Sequence, residues 1–182
     1  AEICFHGSFL ATGKGHGTDR ALVAGLLGLA VDDENIPNSF AIAAERNLTF
    51  SIHGIDLGDA HPNTVKMKLT GESGRTLEIV AASIGGGQIR ICEIDGLTAN
   101  FCGEYPTLIV HNLDQPGHVT EVTSMLAHKS VNIATMQLYR DSRGGNAVMV
   151  IECDQEVPQE AIRWLEHLEG IEKVTYLSLE ES

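Results

Sequence analysis

The chain has 182 residues and carries 12 Lys and Arg against 25 Asp and Glu, a formal net charge of −13 at pH 7. This length suits one large domain or two small ones. The negative charge repels nucleic acid and anionic lipid, so the expected partner is a small molecule or another protein. The longest apolar run, from Leu22 to Val31, contains glycines and is far shorter than the roughly 20 residues of a membrane-spanning helix, which argues against a membrane segment.

The cysteines do not show the spacing of a metal site. Zinc and iron–sulfur sites usually contain closely spaced ligand pairs, and no Cys-x-x-Cys pair occurs in this chain. We therefore predict no metal site on this chain and buried, reduced thiols of the kind found in cytoplasmic proteins. The four residues concerned are Cys4, Cys92, Cys102 and Cys153.

The first part of the chain predicts a mixed α/β domain with antiparallel strands, over residues 1–103. Apolar residues alternate in its strand-like runs, and Asp95-Gly96 is a strong hairpin signal between the last two. The predicted elements are a strand over 2–10, helices over 18–29 and 37–46, and strands over 48–55, 64–71, 75–83 and on both sides of Asp95-Gly96. The predicted domain boundary lies near Gly103-Glu104.

The second part, residues 104–182, predicts the order strand, helix, strand, strand, helix, strand. Pro158 suits the first turn of the second helix, and Gly170 suits its C-terminal cap. This βαββαβ order is typical of a ferredoxin-like α+β domain, with both helices on one face of a four-stranded antiparallel sheet. The face without helices remains available for burial against another part of the assembly, so we expect a partner to bind it.

A glycine-rich stretch, "ATGKGHGTDRAL" over residues 11–22, separates the first predicted strand and helix. Backbone N–H groups at such a place can bind an anion, although the glycine spacing fits neither a P-loop nor a Rossmann fingerprint. One interpretation is a mobile connection in which Thr18 or Asp19 caps the helix. The other is a site that offers backbone donors and charged side chains to a carboxylate ligand. Its candidate residues are Gly15, His16, Gly17, Thr18 and Asp19.

Two further stretches are candidate parts of this site. His61 and Asn63 flank Pro62 just before a strand, where a turn with a solvated histidine is the simpler interpretation. Three consecutive glycines follow a later strand, and a β-bulge and a close ligand contact explain them equally well. The candidates among these glycines are Gly85 and Gly86.

Residues 105–179 resemble an ACT domain, the amino-acid-sensing module of many metabolic enzymes. The resemblance depends on the Asp-x-Pro-Gly turn at Asp114–Gly117 and on Asn132-Ile133 at the start of the next strand. It implies an amino-acid effector site at a corner where these two segments lie side by side, or a surface used only for dimerisation. The effector-site residues implied are Asp114, Pro116, Gly117, His118, Asn132 and Ile133.

Four segments, in this order and followed by an ACT domain, resemble the beta chain of the iron–sulfur-dependent L-serine dehydratases. They are "GSFLATGKGHGTDRALVAGLLGL", "HPNTVKMKL", "SIGGGQIRICEIDG" and "GEYPTLIV". The resemblance implies a cytoplasmic L-serine ammonia-lyase of amino-acid metabolism and gluconeogenesis, which forms pyruvate and ammonia. The resemblance also implies a 4Fe-4S cluster that is held by a separate alpha chain. It implies that His16 and Asp19 support the active site of that alpha chain. It further implies a homodimer that forms through the ACT domain.

The sequence also departs from this family. Its beta chains begin with a further segment carrying a Gly-Pro-Ser-Ser-Ser-His-Thr motif, which these 182 residues lack. We therefore expect a trimmed N-terminus and no activity from this chain alone. The chain also resembles the sensing domains of some phosphoglycerate dehydrogenases, so a regulatory amino-acid-binding module without catalytic activity is the alternative function.

Overall fold

The computed structural model describes residues 1–178, and the chain divides into two compact units, residues 1–88 and residues 89 onward. Each unit contains a sheet with mostly antiparallel strands and a few helices, which confirms the predicted α+β class. The domain boundary at Gly103-Glu104 stays a prediction. Within residues 1–178, no helix is both long enough and apolar enough to cross a membrane.

The first unit packs three short helices against a sheet in the order β2-β1-β3-β4. Strands β1 and β2 are parallel, and the other neighbours are antiparallel. In its core, Ile3 and Phe5 of the sheet pack against Val23 and Ala43 of the helices. Alternate residues of a strand point to the same face of the sheet, and the apolar face of each helix packs against that face. The elements are β1 (Glu2–Phe5), α1 (Gly7–Thr12), α2 (Thr18–Leu26), α3 (Ser39–Glu45), β2 (Ser51–Gly54), β3 (Thr64–Thr70) and β4 (Thr76–Gly85).

The prediction of a first strand through Leu10 was wrong, because the chain leaves the strand after Phe5 and enters helix α1. Gly7 makes this turn at φ +56°, and the carbonyl of Pro62 accepts a hydrogen bond from the N–H of Ser8 at 2.7 Å. This non-local carbonyl satisfies a free N–H at the helix start, which local sequence periodicity cannot show. The glycine-rich stretch therefore joins two helices and not a strand and a helix.

The second unit contains the predicted βαββαβ domain, which is confirmed with the sheet order β10-β7-β9-β8. This is the ferredoxin-like order, in which the first and third strands are central. A hairpin of two strands precedes it. The elements are β5 (Gln88–Ile94), β6 (Leu97–Phe101), β7 (Thr107–Leu113), α4 (His118–His128), β8 (Ile133–Arg140), β9 (Asn146–Cys153), α5 (Gln159–Glu166) and β10 (Ile171–Leu177).

Helices α4 and α5 cover one face of this sheet. Leu108 and Met149 of the central strands pack in one apolar cluster with Leu126 of α4 and Leu165 of α5, and all four are 0% exposed. Each such side chain stabilises the fold by roughly 1.5–3 kcal/mol relative to an exposed position. This face therefore holds the main core of the unit.

The opposite face of the sheet is covered by the chain's own β5–β6 hairpin and not by the partner that was expected there. Ala99 and Phe101 of β6 are buried, and β6 contacts strands β8 and β9. The side-chain amide of Gln137 also donates a hydrogen bond to the carbonyl of Asn100 at 2.7 Å. A hairpin just upstream thus fills the place that the sequence predicted for a partner.

The details of the helix ends also differ from prediction. Pro158 is the N-cap residue of α5 and precedes its first turn, and His167 is the C-cap residue, so Gly170 lies beyond the helix in the turn to β10. At the start of α2 the N-cap is Gly17, and no side chain caps the helix. Asp19 instead accepts a hydrogen bond from the N–H of Arg20 at 2.8 Å.

Candidate functional site

The turn between α1 and α2 leads into the start of α2 and carries two of the predicted site side chains, His16 and Asp19. His16 is exposed, and Asp19, in the first turn of α2, is half-buried. The backbone of the turn is closed by a hydrogen bond from the N–H of Thr18 to the carbonyl of Gly13 at 2.9 Å. Within residues 1–178 no hydrogen bond joins the side chains of His16 and Asp19. The structure thus holds them on one short turn with the imidazole open to solvent.

The segment His61–Asn63 packs against the start of α1. Pro62 accepts the hydrogen bond from Ser8, and the carbonyl of Thr64 accepts one from the N–H of His6 at 3.0 Å. The imidazole Nδ1 of His61 accepts a local hydrogen bond from the N–H of Asn63 at 3.2 Å, and the His61 side chain is exposed. The structure therefore brings this predicted segment to the β1–α1 junction, where it also makes the predicted turn.

Sequence reasoning missed two residues at this junction, His6 and Gly7. The buried imidazole of His6 accepts a hydrogen bond from the N–H of Leu57 at 3.1 Å and lies 4.0 Å from the Asp56 carboxylate. A Cβ atom on Gly7 would lie 2.6 Å from the Pro62 carbonyl oxygen. A polar residue followed by glycine at the end of an apolar strand is the signal that could have indicated them.

The three consecutive glycines lie at the end of β4, with Gly85 as its last residue and the other two in the tight turn that follows. Gly85, Gly86 and Gly87 have φ angles of +94°, +64° and +78°, which side-chain-bearing residues rarely adopt. A Cβ atom at any of the three would meet nothing within 4 Å, so no close backbone approach requires glycine there. Backbone conformation accounts for these residues, and a ligand contact at Gly85 and Gly86 stays a prediction.

At the predicted effector corner, Asp114 already has partners. Its carboxylate accepts hydrogen bonds from the backbone N–H of Gly144 and from the guanidinium of Arg140, both at 2.9 Å. The Gly144 N–H, followed by Arg140, holds the pKa of Asp114 below its ordinary value. Asp114 thus fastens the β8–β9 turn to the end of β7.

His118, the first residue of α4, is also held in place. Its Nδ1 atom lies 3.2 Å from a carboxylate oxygen of Glu121. Its buried Nε2 atom has no hydrogen-bond partner within residues 1–178, and a Cβ atom on Gly170 would lie 2.5 Å from it. Pro116 and Gly117, the two residues before His118, precede the helix, with Gly117 as its N-cap. The imidazole therefore packs beneath the turn that follows α5.

Within one chain the structure does not bring Asn132 and Ile133 next to Asp114. Strands β7 and β8 both run antiparallel to β9, so they are parallel to each other. Helix α4 carries the chain from the end of β7 back to the end of the sheet at which β7 begins, and β8 starts there. Ile133 pairs with Cys153, at the end of the sheet where Thr107 begins β7. Asn132 donates a side-chain hydrogen bond to Asp154 at 2.6 Å at that end. An effector-binding role for these residues stays a prediction.

No metal-ligand cluster forms in the part of the chain that the structure describes: no three His, Cys, Asp or Glu side chains group there. Burial raises the pKa of the Cys153 thiol to about 11, and it also raises the pKa of Cys4 and Cys92. An iron–sulfur cluster is held by several cysteines that lie close together, and the four cysteines of residues 1–178 form no such group.

Gly7→Ala tests the β1–α1 junction. We expect it to destabilise the first unit by at least about 1 kcal/mol, because the new Cβ would collide with Pro62 and φ is positive. Gly25→Ala in helix α2 is the matched control, since a Cβ atom at that position would meet nothing within 4 Å; it should be neutral or stabilising. Hydrogen exchange of the β1 and β3 amides measures the effect. Equal stability of the two variants would contradict the assigned contact.

Asp114→Asn tests the fastening of the β8–β9 turn. A carboxyl whose pKa is lowered in the folded state stabilises that state above its ordinary pKa, and this contribution is lost as the pH falls through the lowered pKa. We therefore expect the variant to be less stable than the parent at neutral pH and equal to it in strong acid. Urea unfolding followed by Trp164 fluorescence measures this, with the exposed Glu169→Gln as control. A pH-independent difference would contradict the account.

Comparison with known proteins relates both units to one family. A family model described as "Serine dehydratase beta chain" matches residues 1–93. The chain is 36% identical over 176 residues to a "Probable L-serine dehydratase, beta chain" of Bacillus subtilis, covering 97% of this chain and 80% of that one. It is also 36% identical over 159 residues to the "L-serine dehydratase, beta chain" of Peptoniphilus asaccharolyticus, covering 87% and 72% of the two chains.

A second group of relatives has a different name. The chain is 29% identical over 179 residues to a "D-3-phosphoglycerate dehydrogenase" of Methanocaldococcus jannaschii, covering 98% of this chain but 33% of that protein. This similarity agrees with the ACT-like fold of the second unit. Because the dehydratase beta chains match at higher identity and over most of their own length, the chain belongs to the family of serine dehydratase beta chains.

Proposed function

We propose that this chain is the beta subunit of an L-serine dehydratase, which converts L-serine to pyruvate and ammonia together with an alpha chain. The observation that carries the proposal is the extent of the match, since relatives with this printed name cover 97% and 87% of the chain. Both compact units therefore contribute to the similarity. The test is serine-dependent pyruvate formation by the alpha chain with and without this subunit, and an alpha chain that is fully active by itself would contradict the proposal.

The proposed reaction places its cofactor on the partner. A 4Fe-4S cluster would act as a Lewis acid on the serine hydroxyl, and the cysteines of residues 1–178 do not offer a ligand set for it. We therefore assign the cluster to the alpha chain. This division leaves substrate orientation, support of the active site and effector sensing to the present chain, which alone would be inactive in a cytoplasmic enzyme.

The α1–α2 turn is the part of this chain that we assign to the partner's active site. It presents the exposed imidazole of His16 beside Asp19 at the start of α2. A serine carboxylate is an anion, and such helix starts favour anions. His61 and Asn63 lie at the start of α1 in the same unit. The turn would orient a carboxylate or hold a side chain of the alpha chain.

A second candidate function is amino-acid sensing by the ACT-like domain. The observation that favours it is that nearly the whole chain also matches about a third of a dehydrogenase of different chemistry. A module found beside two different reactions is explained more simply by regulation than by catalysis. Both functions can hold together, since an effector that biases a shared interface also changes the activity of the partner.

A dimer would rebuild the effector corner that one chain lacks. Strand β8 is at the end of the sheet order, and its Leu138 side chain is 47% exposed. If two copies pair their β8 strands antiparallel about a twofold axis, Ile133 of one protomer approaches the Arg140 end of its partner's strand. Arg140 binds Asp114. This pairing would place Asn132 of one protomer near Asp114 of the other, as the predicted homodimer and its effector site require.

His16→Ala and Asp19→Ala test the catalytic support. In the reconstituted enzyme we expect serine turnover to fall by about tenfold or more, because the lost groups would act on the reacting complex. The stability of this chain should change by less than about 0.5 kcal/mol, as is usual for surface positions. The controls are His53→Ala and Asp59→Ala, two exposed residues of the same unit. Unchanged turnover in the first pair would show that the turn is only structural.

Asn132→Ala tests the sensing function. Titration calorimetry of the isolated chain should show L-serine binding to the parent, and this variant should bind at least about tenfold more weakly, since it loses a polar group of the corner. The oligomeric state of both proteins is measured in parallel by analytical ultracentrifugation. Absence of heat and of thermal stabilisation with L-serine would contradict sensing of this amino acid, while leaving the subunit function unaffected.

A further inference from the structure

The tip of the β5–β6 hairpin makes a charged contact with the sheet that it covers. Asp95 is the first residue of the tip and has a φ of +49°. Its Oδ2 atom lies 2.5 Å from the ammonium nitrogen of Lys173 and 3.4 Å from the imidazole Nε2 of His111. One carboxylate oxygen of the hairpin thus contacts two basic side chains of the sheet.

The two basic residues are neighbours on the sheet face that the hairpin covers. Lys173 of β10 pairs directly with His111 of β7, so their side chains project from the same face. The side chains of Asp95 and Lys173 are each 24% exposed, and that of His111 is 9% exposed. Charges at such partly buried positions interact more strongly than charges in water.

His111 does not complete a hydrogen bond to Asp95. Its buried Nε2 atom has no hydrogen-bond partner within the range 1–178, although it lies 3.4 Å from the Oδ2 atom of Asp95. The carboxylate is instead closest to Lys173. A further charged residue near His111 is Glu172 of β10, which raises the pKa of His111 less than Asp95 does.

This arrangement disfavours a proton on His111 while the hairpin is closed. Burial lowers the pKa of His111, Asp95 opposes this with a smaller effect, and Lys173 lowers the pKa further. When the hairpin lifts, water reaches the imidazole and its basicity returns to the ordinary range. A proton then binds more tightly to the lifted state, and acid shifts the population toward it.

The hairpin is joined to the sheet differently at its other end. There the contacts are the hydrogen bond between Gln137 and Asn100, and the contacts of the Cys102 N–H and thiol, both at 3.5 Å, with the Glu152 carboxylate. Neither contains a basic side chain. The tip is therefore the end of the hairpin at which a histidine lies beside the hairpin's carboxylate.

We propose that Asp95, Lys173 and His111 form a proton-sensitive latch that fastens the β5–β6 hairpin over the four-stranded sheet and releases it when His111 is protonated. The latch is closed when Asp95 neutralises Lys173 and the imidazole is uncharged. Protonation places a second cation beside Lys173 in a poorly hydrated site, with one carboxylate to balance both. The hairpin lifts, and the polar and apolar face beneath it becomes accessible to water.

Hydrogen–deuterium exchange of the full chain tests the latch. Exchange of the β5–β6 amides is measured at about pH 7.5 and about pH 5.5, with correction for the intrinsic pH dependence of exchange, and amides of α4 serve as internal reference. We expect the hairpin opening equilibrium to rise with acidity by up to about tenfold per pH unit, while α4 stays protected. Opening that is independent of pH, or that occurs together with α4, would overturn the proposal.

Two variants and a control separate the latch from a general loss of stability. His111→Gln keeps a polar side chain but cannot be protonated, so it should remove the pH dependence of hairpin opening. Asp95→Asn keeps a residue that tolerates positive φ and removes the charge, so it should increase hairpin opening at neutral pH by about fivefold or more. Glu93→Gln, an exposed change of the same charge in β5, should leave opening unchanged. Persistent pH dependence in His111→Gln, or equal behaviour of Asp95→Asn and Glu93→Gln, would contradict the proposal.

Discussion

The fold of the second unit depends on the burial of both faces of one four-stranded sheet. Its two central strands are buried along almost their whole length, including the 0% exposed residues Ile109 and Val148 on the face away from the helices. Antiparallel sheets often leave one face in water and then show alternating polarity. Here α4 and α5 cover one face, and the β5–β6 hairpin covers the other. The hairpin is therefore part of the packed structure of this domain.

Much of the fold could be predicted from local pattern. The βαββαβ order followed from the change between twofold and helical periodicity, and Asp95-Gly96 correctly indicated a hairpin, with both residues at positive φ. Helix α1 was missed because the Pro62 carbonyl that satisfies its start is distant in sequence. The covering of the sheet by the hairpin was missed for the same reason, since contacts between distant segments leave no periodic signal.

The candidate sites show a similar limit. The residues of the α1–α2 turn are contiguous, so local reasoning placed His16 and Asp19 together correctly in sequence although it misjudged the flanking element. The effector corner required strand direction to be known. Because β8 is parallel to β7, Asn132 and Asp114 lie toward opposite ends of the sheet in one chain. The proposed pairing of two copies would bring such residues together, and a single sequence does not encode that pairing in its local pattern.

The structure and the family together suggest a division of labour between two chains. This chain belongs to the serine dehydratase beta chains, and its described cysteines are scattered, with burial raising the pKa of three of them. Its second unit has the fold of an amino-acid-sensing module, and its first unit presents a turn with an exposed histidine. In the proposed account the partner would hold the cluster and perform the elimination, while this chain would support and regulate it.

The most direct test of this account is the iron and acid-labile sulfide content of anaerobically purified protein, measured for this chain alone and for its complex with the alpha chain. The account predicts that iron and sulfide are present in the complex and absent from this chain alone. Stoichiometric iron and sulfide on this chain alone would contradict it, because the cluster would then reside on the subunit to which we assign only support and regulation.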